Sequence, residues 1–288
     1  MIAIILAIFA SCGLNLLLQF ASRHYSYNVP FILLIVECSK LLVCLIGMLC
    51  ISNQRNCPIR FGFIVNSILY AIVNYLSHFI TKSMPVSIYS VLIQHKIIWV
   101  VLFSILILKK KFSIKQFLAL IVICFGCILT KLSADKIIIS EIGLFLVIFQ
   151  GICSSLSSVW IEKMMKMDDR PVVSENASKN KLYWFLADSF QMYLFAIPIY
   201  LVGTYSHSKI KNTLPIELSV IIVVLSVLNG MSLGAVFVYH SSVVRSVISA
   251  IVIVVLAIDH GIWSVYTISG IACVLLGVIG WSFSSYNR

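Results

Sequence analysis

Ten apolar stretches, each close to the roughly twenty residues a helix needs to cross a bilayer, take up nearly the whole of this chain. They run over Ile2–Phe20, Phe31–Ile51, Phe61–Thr81, Val86–Leu108, Ile114–Lys131, Ile142–Ile161, Leu182–Thr204, Leu218–Tyr239, Val243–Ile258 and Val265–Ser284. The connections leave no room for a soluble domain. The sequence therefore predicts an all-α polytopic membrane protein, a single domain of ten transmembrane helices over residues 1–288. Hydrophobic residues make up 61% and charged residues 11% of the chain, far from a soluble balance. The first stretch has no basic segment before it and is long enough to span, so it reads as a helix rather than a removable signal. Ser285–Arg288 carries no lipidation or retention motif.

The net charge of +11 raises the question of nucleic acid, and its placement answers it. Ten spans put both termini on one side. That side holds thirteen cations, among them Arg55, Arg60, Lys109–Lys111, Lys115, Lys163, Lys166, Arg170 and Arg288, against six in the opposite loops. The positive-inside rule assigns the richer side, with both termini, to the cytosol. Basic residues are not interleaved with aromatics as nucleic-acid binding requires. The sequon Asn176-Ala177-Ser178 falls in a loop assigned to the cytosol and is expected to be unmodified. Of nine cysteines most lie within spans as small hydrophobes. The Cys124/Cys127 pair has no His or Asp nearby to suggest a metal, and the sequence predicts no cofactor.

Two cations do not fit a purely apolar interior. Lys96 is the only charge between Pro85 and Leu108, and Arg245 the only one between Glu217 and Asp259. A charge inside hydrocarbon-length sequence costs several kcal/mol unless it faces a polar interior, so both point to a site for an anion. Polar residues recur on single helix faces: Ser11, Asn15 and Gln19; Asn66, Tyr70, Asn74 and His78; Tyr89 and Lys96; Gln150, Ser154 and Ser158; Ser226, Asn229 and Ser232; Arg245, Ser246 and Ser249. They predict a polar cavity walled by spans one, three, four, six, eight and nine, with five and ten at the periphery. The alternative is that such groups only bond neighbouring helices. Glu37 and Lys40, three apart, suit either a structural ion pair or a gating element.

The two halves, 1–131 and 141–284, read as five-helix repeats. Phe112-Ser113 is matched by Trp263-Ser264, and thirteen residues after each Ser stand Gly126 and Gly277. Five spans per half invert the second against the first, the plan of many transporters.

Several segments resemble the nucleotide-sugar transporters of the Golgi apparatus and endoplasmic reticulum, within the drug/metabolite transporter superfamily. Tyr70-Ala71-Ile72-Val73-Asn74, Tyr89 and Gln94-His95-Lys96-Ile97 are similar to the family's YAxQNN, Y and YQLKI at the same spacing. Glu37–Leu41 resembles its ExxKL, Ser154–Lys166 its SSGFAGVYxEKxLK, and Val238–Arg245 its KYADNILK. Two registers fit WxRNxQLYLF, one through Tyr183 and one through Tyr193. The chain departs from the pattern at Val73 and Tyr75, and at Val238, Ser241 and Ser242, where the family has Lys, Asp and Asn. It thus resembles divergent relatives of the CMP-sialic acid and UDP-sugar transporters.

The resemblance implies exchange of a cytosolic nucleotide sugar for a lumenal nucleoside monophosphate across a Golgi or endoplasmic reticulum membrane. It puts Lys96 and Arg245 on the phosphates, Tyr70, Asn74 and Tyr89 on the nucleoside, Ser154 on the opposite wall, and Tyr183 or Tyr193 at the site. It also implies homo- or hetero-oligomers with other such transporters or with glycosyltransferases. A same-fold exporter of cations or neutral solutes is disfavoured by the two interior cations. A membrane enzyme is disfavoured by the lack of paired carboxylates or a His cluster. A non-transporting scaffold is the rival that the departures at Val238, Ser241 and Ser242 favour.

Overall fold

The computed structural model describes residues 2–51, 59–83, 89, 92–129, 141–166, 177–206, 213–259 and 265–286, and these are all-helical, with no strand among them. Among the described residues ten α-helices with defined bounds follow in chain order: α1 (Ile2–His24), α2 (Val29–Ile51), α3 (Gly62–Ser83), α4 (Lys96–Leu108), α5 (Ile114–Leu129), α6 (Glu141–Met165), α7 (Ala177–Ser206), α8 (Ile216–Tyr239), α9 (Ser242–Asp259) and α10 (Val265–Tyr286). One 3-10 turn, Ile93–His95, leads into α4. Over Val29–Ile51, Glu141–Met165, Leu182–Ser206 and Ile216–Val238, helices are long and apolar enough to cross a membrane. The sequon at Asn176, the Trp263-Ser264 pair and the cations Arg55, Lys131, Lys136, Arg170, Lys209, Lys211 and Arg288 lie outside the described residues, as do the side chains of Gln19 and His78.

Burial is inverted relative to a soluble protein. Leu42, Ile46 and Leu49 of α2, Phe125 of α5, Val224 of α8 and Leu276 of α10 are exposed. Gln94, Gln116, Gln150, Ser155, Asp188 and Gln191 are buried. Apolar atoms outside and polar atoms inside is the arrangement a hydrocarbon solvent selects, because in lipid every polar group must find its partner within the protein.

The chain forms two compact units, each drawn from both halves of the sequence: Met1–Ala71 with Trp160–Ser241, and Ile72–Val159 with Ser242–Arg288. The divisions fall inside α3 and α6. In the first unit α2 packs on α7, and α1 on α8. Room for a hydrogen at Gly47 opposite Leu186, and Lys40 opposite Tyr193, set α2 and α7 antiparallel. Ser11 Oγ donates to Asn229 Oδ1 at 2.6 Å, joining α1 to α8. Several buried contacts gather near the C-terminal end of α6: Trp160 Nε1 donates to Gly62 O at 2.9 Å, Arg60 Nη1 to Met164 O at 3.2 Å, and the Arg60 amide to Gln191 Oε1 at 2.7 Å. Lys166 bonds both Glu162 and the His240 carbonyl.

In the second unit α5 packs on α10 and α4 on α9. The α5–α10 crossing rests on the two glycines the sequence aligns. A Cβ on Gly126 would lie 2.8 Å from Gly270 O and from Val274 N, and one on Gly277 would lie 2.9 Å from Ala119 O and 3.1 Å from Ile123 N. Residue 126 thus meets 274 as 123 meets 277, the pattern of antiparallel helices exchanging equivalent positions. Small residues permit this backbone approach where no hydrophobic effect drives helices together. The spans expected to be peripheral, five and ten, chiefly face one another, with Ile121, Phe125, Leu275 and Ile279 exposed on their other sides.

Helix ends depart from the hydropathy reading where polar residues extend a helix beyond its apolar run. α6 continues to Met165 and α7 begins at Ala177, since a helix satisfies its own backbone whatever its side chains.

Candidate functional site

The second unit holds Lys96 and Arg245. Lys96 opens α4 directly after the 3-10 turn, and Arg245 lies in the first turn of α9. The two helices meet through a buried core in which Ile97, Val100 and Val101 join Val243, Val247 and Ala250. Ser104 and Ser242, both buried, approach to 3.4 Å between hydroxyl oxygens. Ser155 and Ser158, one turn apart on α6, meet the Lys96 carbonyl and the Arg245 guanidinium, which brings the two cationic residues to one stretch of that helix. Lys96 is half-buried, and among the described residues it has no carboxylate partner.

α6 supports both. Ser155 Oγ donates to Lys96 O at 2.8 Å and lies 2.7 Å from Gly151 O. Ser158 Oγ donates to Ser154 O at 2.8 Å, leaving its lone pairs to accept Arg245 Nη1–H at 3.2 Å. Ser154, one turn before, is half-buried. The arrangement therefore presents a compact ammonium and a planar fork to the same neighbourhood, a combination suited to phosphate or carboxylate oxygens.

Tyr89 and Asn74 belong to the same unit. The Tyr89 hydroxyl lies 3.0 Å from Ser77 Oγ and accepts from Gln150 Nε2 at 2.8 Å. Gln150 Nε2 also reaches Val73 O at 3.1 Å and bonds Ser77. The Tyr89 ring packs with Ile80 and Val147. Its hydroxyl thus ties α3 to α6, the helix-bonding use that was the alternative for the polar stripes. Asn74 is half-buried one residue beyond Val73. Cys127 lies in the apolar core, and Cys124 Sγ is directed at Gln94 O.

The first unit holds the remaining candidates. Lys40 Nζ lies 2.8 Å from Glu37 Oε1, both side chains buried. The ammonium also stands 5.2 Å from the Tyr193 ring centroid and 5.9 Å from that of Tyr70. Gly230 leaves the room: a Cβ there would sit 2.7 Å from Lys40 Cε. Cations over aromatic faces gain from the ring quadrupole, so Glu37, Lys40, Tyr70 and Tyr193 form one cluster. Tyr183 packs separately, with Trp184 and Ala187 against Met48 and Ile51 of α2. Both tyrosines thus lie on the α2-facing side of α7, and Tyr193 is the one that meets Lys40.

His95 was not singled out in the sequence. Its Nδ1 lies 2.6 Å from Leu92 O and its Nε2 3.3 Å from Ile148 O of α6. Gly151 makes the space, since a Cβ there would fall 2.3 Å from Nε2. The ring anchors the turn that delivers Lys96. The signal available was its place in Gln94-His95-Lys96-Ile97, where the resembling motif has Leu. No protein-family model matches the chain.

Proposed function

We propose that this protein is a nucleotide-sugar transporter, exchanging a cytosolic UDP- or CMP-sugar for a lumenal nucleoside monophosphate across a Golgi or endoplasmic reticulum membrane, with both termini cytosolic. The observation that carries the proposal is the approach of Lys96 and Arg245 in a helical unit whose surface is apolar. A phosphate bound by an ammonium and a guanidinium gains from both, so a loaded site closes more readily than an empty one. Both exchanged ligands bear that phosphate, so both license the closed state, whereas the empty carrier resists it. The pairing of α2 with α7, α4 with α9 and α5 with α10, each helix with the one five later, supports two inverted five-helix repeats. By the resemblance, Asn74 and Tyr89 of this unit are the proposed nucleoside contacts and Ser154 the opposite wall, while Glu37 and Lys40, beside Tyr70 and Tyr193 in the first unit, form a gating or structural pair.

The test is counterflow into proteoliposomes preloaded with UMP, CMP or GMP. Wild-type protein is expected to exchange one nucleotide sugar. Lys96→Ala is expected to lower the rate about 10–100-fold, the range for losing one charge-assisted hydrogen bond. Equal rates for Lys96→Ala, Arg245→Ala and wild type would refute the proposal.

A second reading, a non-transporting scaffold, is favoured by the chemistry at positions 238 and 242. Val238 is buried in an apolar cluster with Phe237 and Phe185, and Ser242 is buried against Ser104, where the resembling motif carries Lys and Asn. Thermal stabilisation of the purified protein by a nucleoside monophosphate separates the two, because a scaffold without a site gains none.

A further inference from the structure

Lys109, Lys110, Lys111 and Lys115 follow the end of α4 within seven residues, and the sequence has no Asp or Glu anywhere between Glu37 and Asp135. A basic run at the end of an apolar helix needs no order to set membrane orientation. This one is ordered. Lys109 closes α4 in the left-handed conformation (φ 52°, ψ 31°), and its amide bonds Ser104 O. The Lys110 amide bonds the same carbonyl at 3.2 Å. Phe112 packs on Trp281 of α10, ring centroids 6.1 Å apart. Ser113 and Gln116 form a reciprocal capping box, the Gln116 amide on Ser113 Oγ at 3.3 Å and the Ser113 amide on Gln116 Oε1 at 3.0 Å.

The turn is therefore fixed at both ends and in the middle. It holds its cations beside the N-terminus of α5, whose own dipole is positive and whose first turn carries no acidic residue. Lys109, Lys111 and Lys115 are exposed. Flanking them on α4 and α5, Leu106, Ile114, Phe117 and Leu118 are exposed too, Ile114 at 80%. Cations with apolar side chains immediately beside them match a lipid: headgroup phosphates against the lysines, acyl chains against the two leucines, the isoleucine and the phenylalanine. A soluble anion or an acidic peptide would leave the apolar flank unused.

We infer that the Lys109–Lys115 turn is a binding site for an anionic phospholipid. This stands independently of the transport proposal, needing only the membrane character of the helices. Because the turn is already ordered, binding loses little conformational freedom, and the attraction weakens with salt.

The test is native mass spectrometry of the full chain in neutral detergent, titrated with dioctanoyl phosphatidylinositol 4-phosphate, dioctanoyl phosphatidylcholine and soluble inositol 1,4-bisphosphate. The phosphoinositide is expected to bind at least about 10-fold more tightly than either other probe. Lys110→Gln/Lys111→Gln/Lys115→Gln is expected to weaken it on the order of 100-fold, at about 1 kcal/mol per lysine. Phe112→Ala, which removes no cation but frees the turn, is expected to weaken it several-fold. Equal binding of phosphatidylcholine, equal binding by the triple variant, or a soluble headgroup that binds as tightly as the lipid would overturn the inference.

Discussion

The Glu37–Lys40 pair offers a sharp test of how charge is held inside the first unit. The ions lie 2.8 Å apart with side chains 4% and 2% exposed. At an effective dielectric of about 20 their attraction is about 6 kcal/mol, and taking both from water costs several kcal/mol per ion. The net worth of the pair is therefore small, but removing one member exposes the cost of the other. Lys40→Met leaves the Glu37 carboxylate without its cation, a loss of about 3–5 kcal/mol. Glu37→Gln leaves Lys40 between the Tyr70 and Tyr193 rings, 5.9 and 5.2 Å from their centroids; this close to the ~6 Å limit of the attraction each returns about 1 kcal/mol, so the loss is about 1–3 kcal/mol. Glu37→Gln/Lys40→Met, with no charge left to bury, lies within about 1 kcal/mol of wild type. Scanning fluorimetry of the purified protein reads these as falls in Tm of roughly 10 °C, roughly half that, and little. A double variant whose loss equals the sum of the singles, or Glu37→Gln worse than Lys40→Met, would refute the reasoning.

Two further predictions use the same assay. Gly126→Ala places a methyl 2.8 Å from Gly270 O and Val274 N, where backbone cannot yield, and is expected to cost about 1–3 kcal/mol; Gly280→Ala, whose Cβ would lie 3.8 Å from Ala119 Cβ, is the neutral control. Lys109→Gly relieves a non-glycine residue held at φ 52° and is expected to stabilise by about 0.5–1 kcal/mol.

Hydropathy made the all-helical character legible, and over Val29–Ile51, Glu141–Met165, Leu182–Ser206 and Ile216–Val238 apolar run length matches a membrane crossing. It could not foresee that Ala177–Lys181 joins α7 or that α6 reaches Met165, since Ser178, Lys179, Asn180 and Lys181 are polar and Glu162 and Lys163 interrupt the apolar run before Met164. The stripes were legible as faces turned from lipid, but a stripe does not name its partner. Ser11 is spent on Asn229, and the Tyr89 hydroxyl on Ser77 and Gln150. Lys96 and Arg245 stood out because each is a lone charge in apolar sequence. His95 did not, because its role depends on Gly151, far away in the chain, and a missing side chain leaves no pattern to read.

The glycine crossing of α5 and α10 bears on how the second unit can move. Each residue advances a helix by about 1.5 Å. Sliding α5 along α10 by a single step would press a side chain into each space that Gly126 and Gly277 leave empty. Both obstructions arise together, whichever way the slide runs. The pair therefore has one allowed register and acts as a strut, rigid in translation. Rearrangement within this unit then falls to its other helices, α4 and α9, which carry the cations, and the parts of α3 and α6 that belong to it.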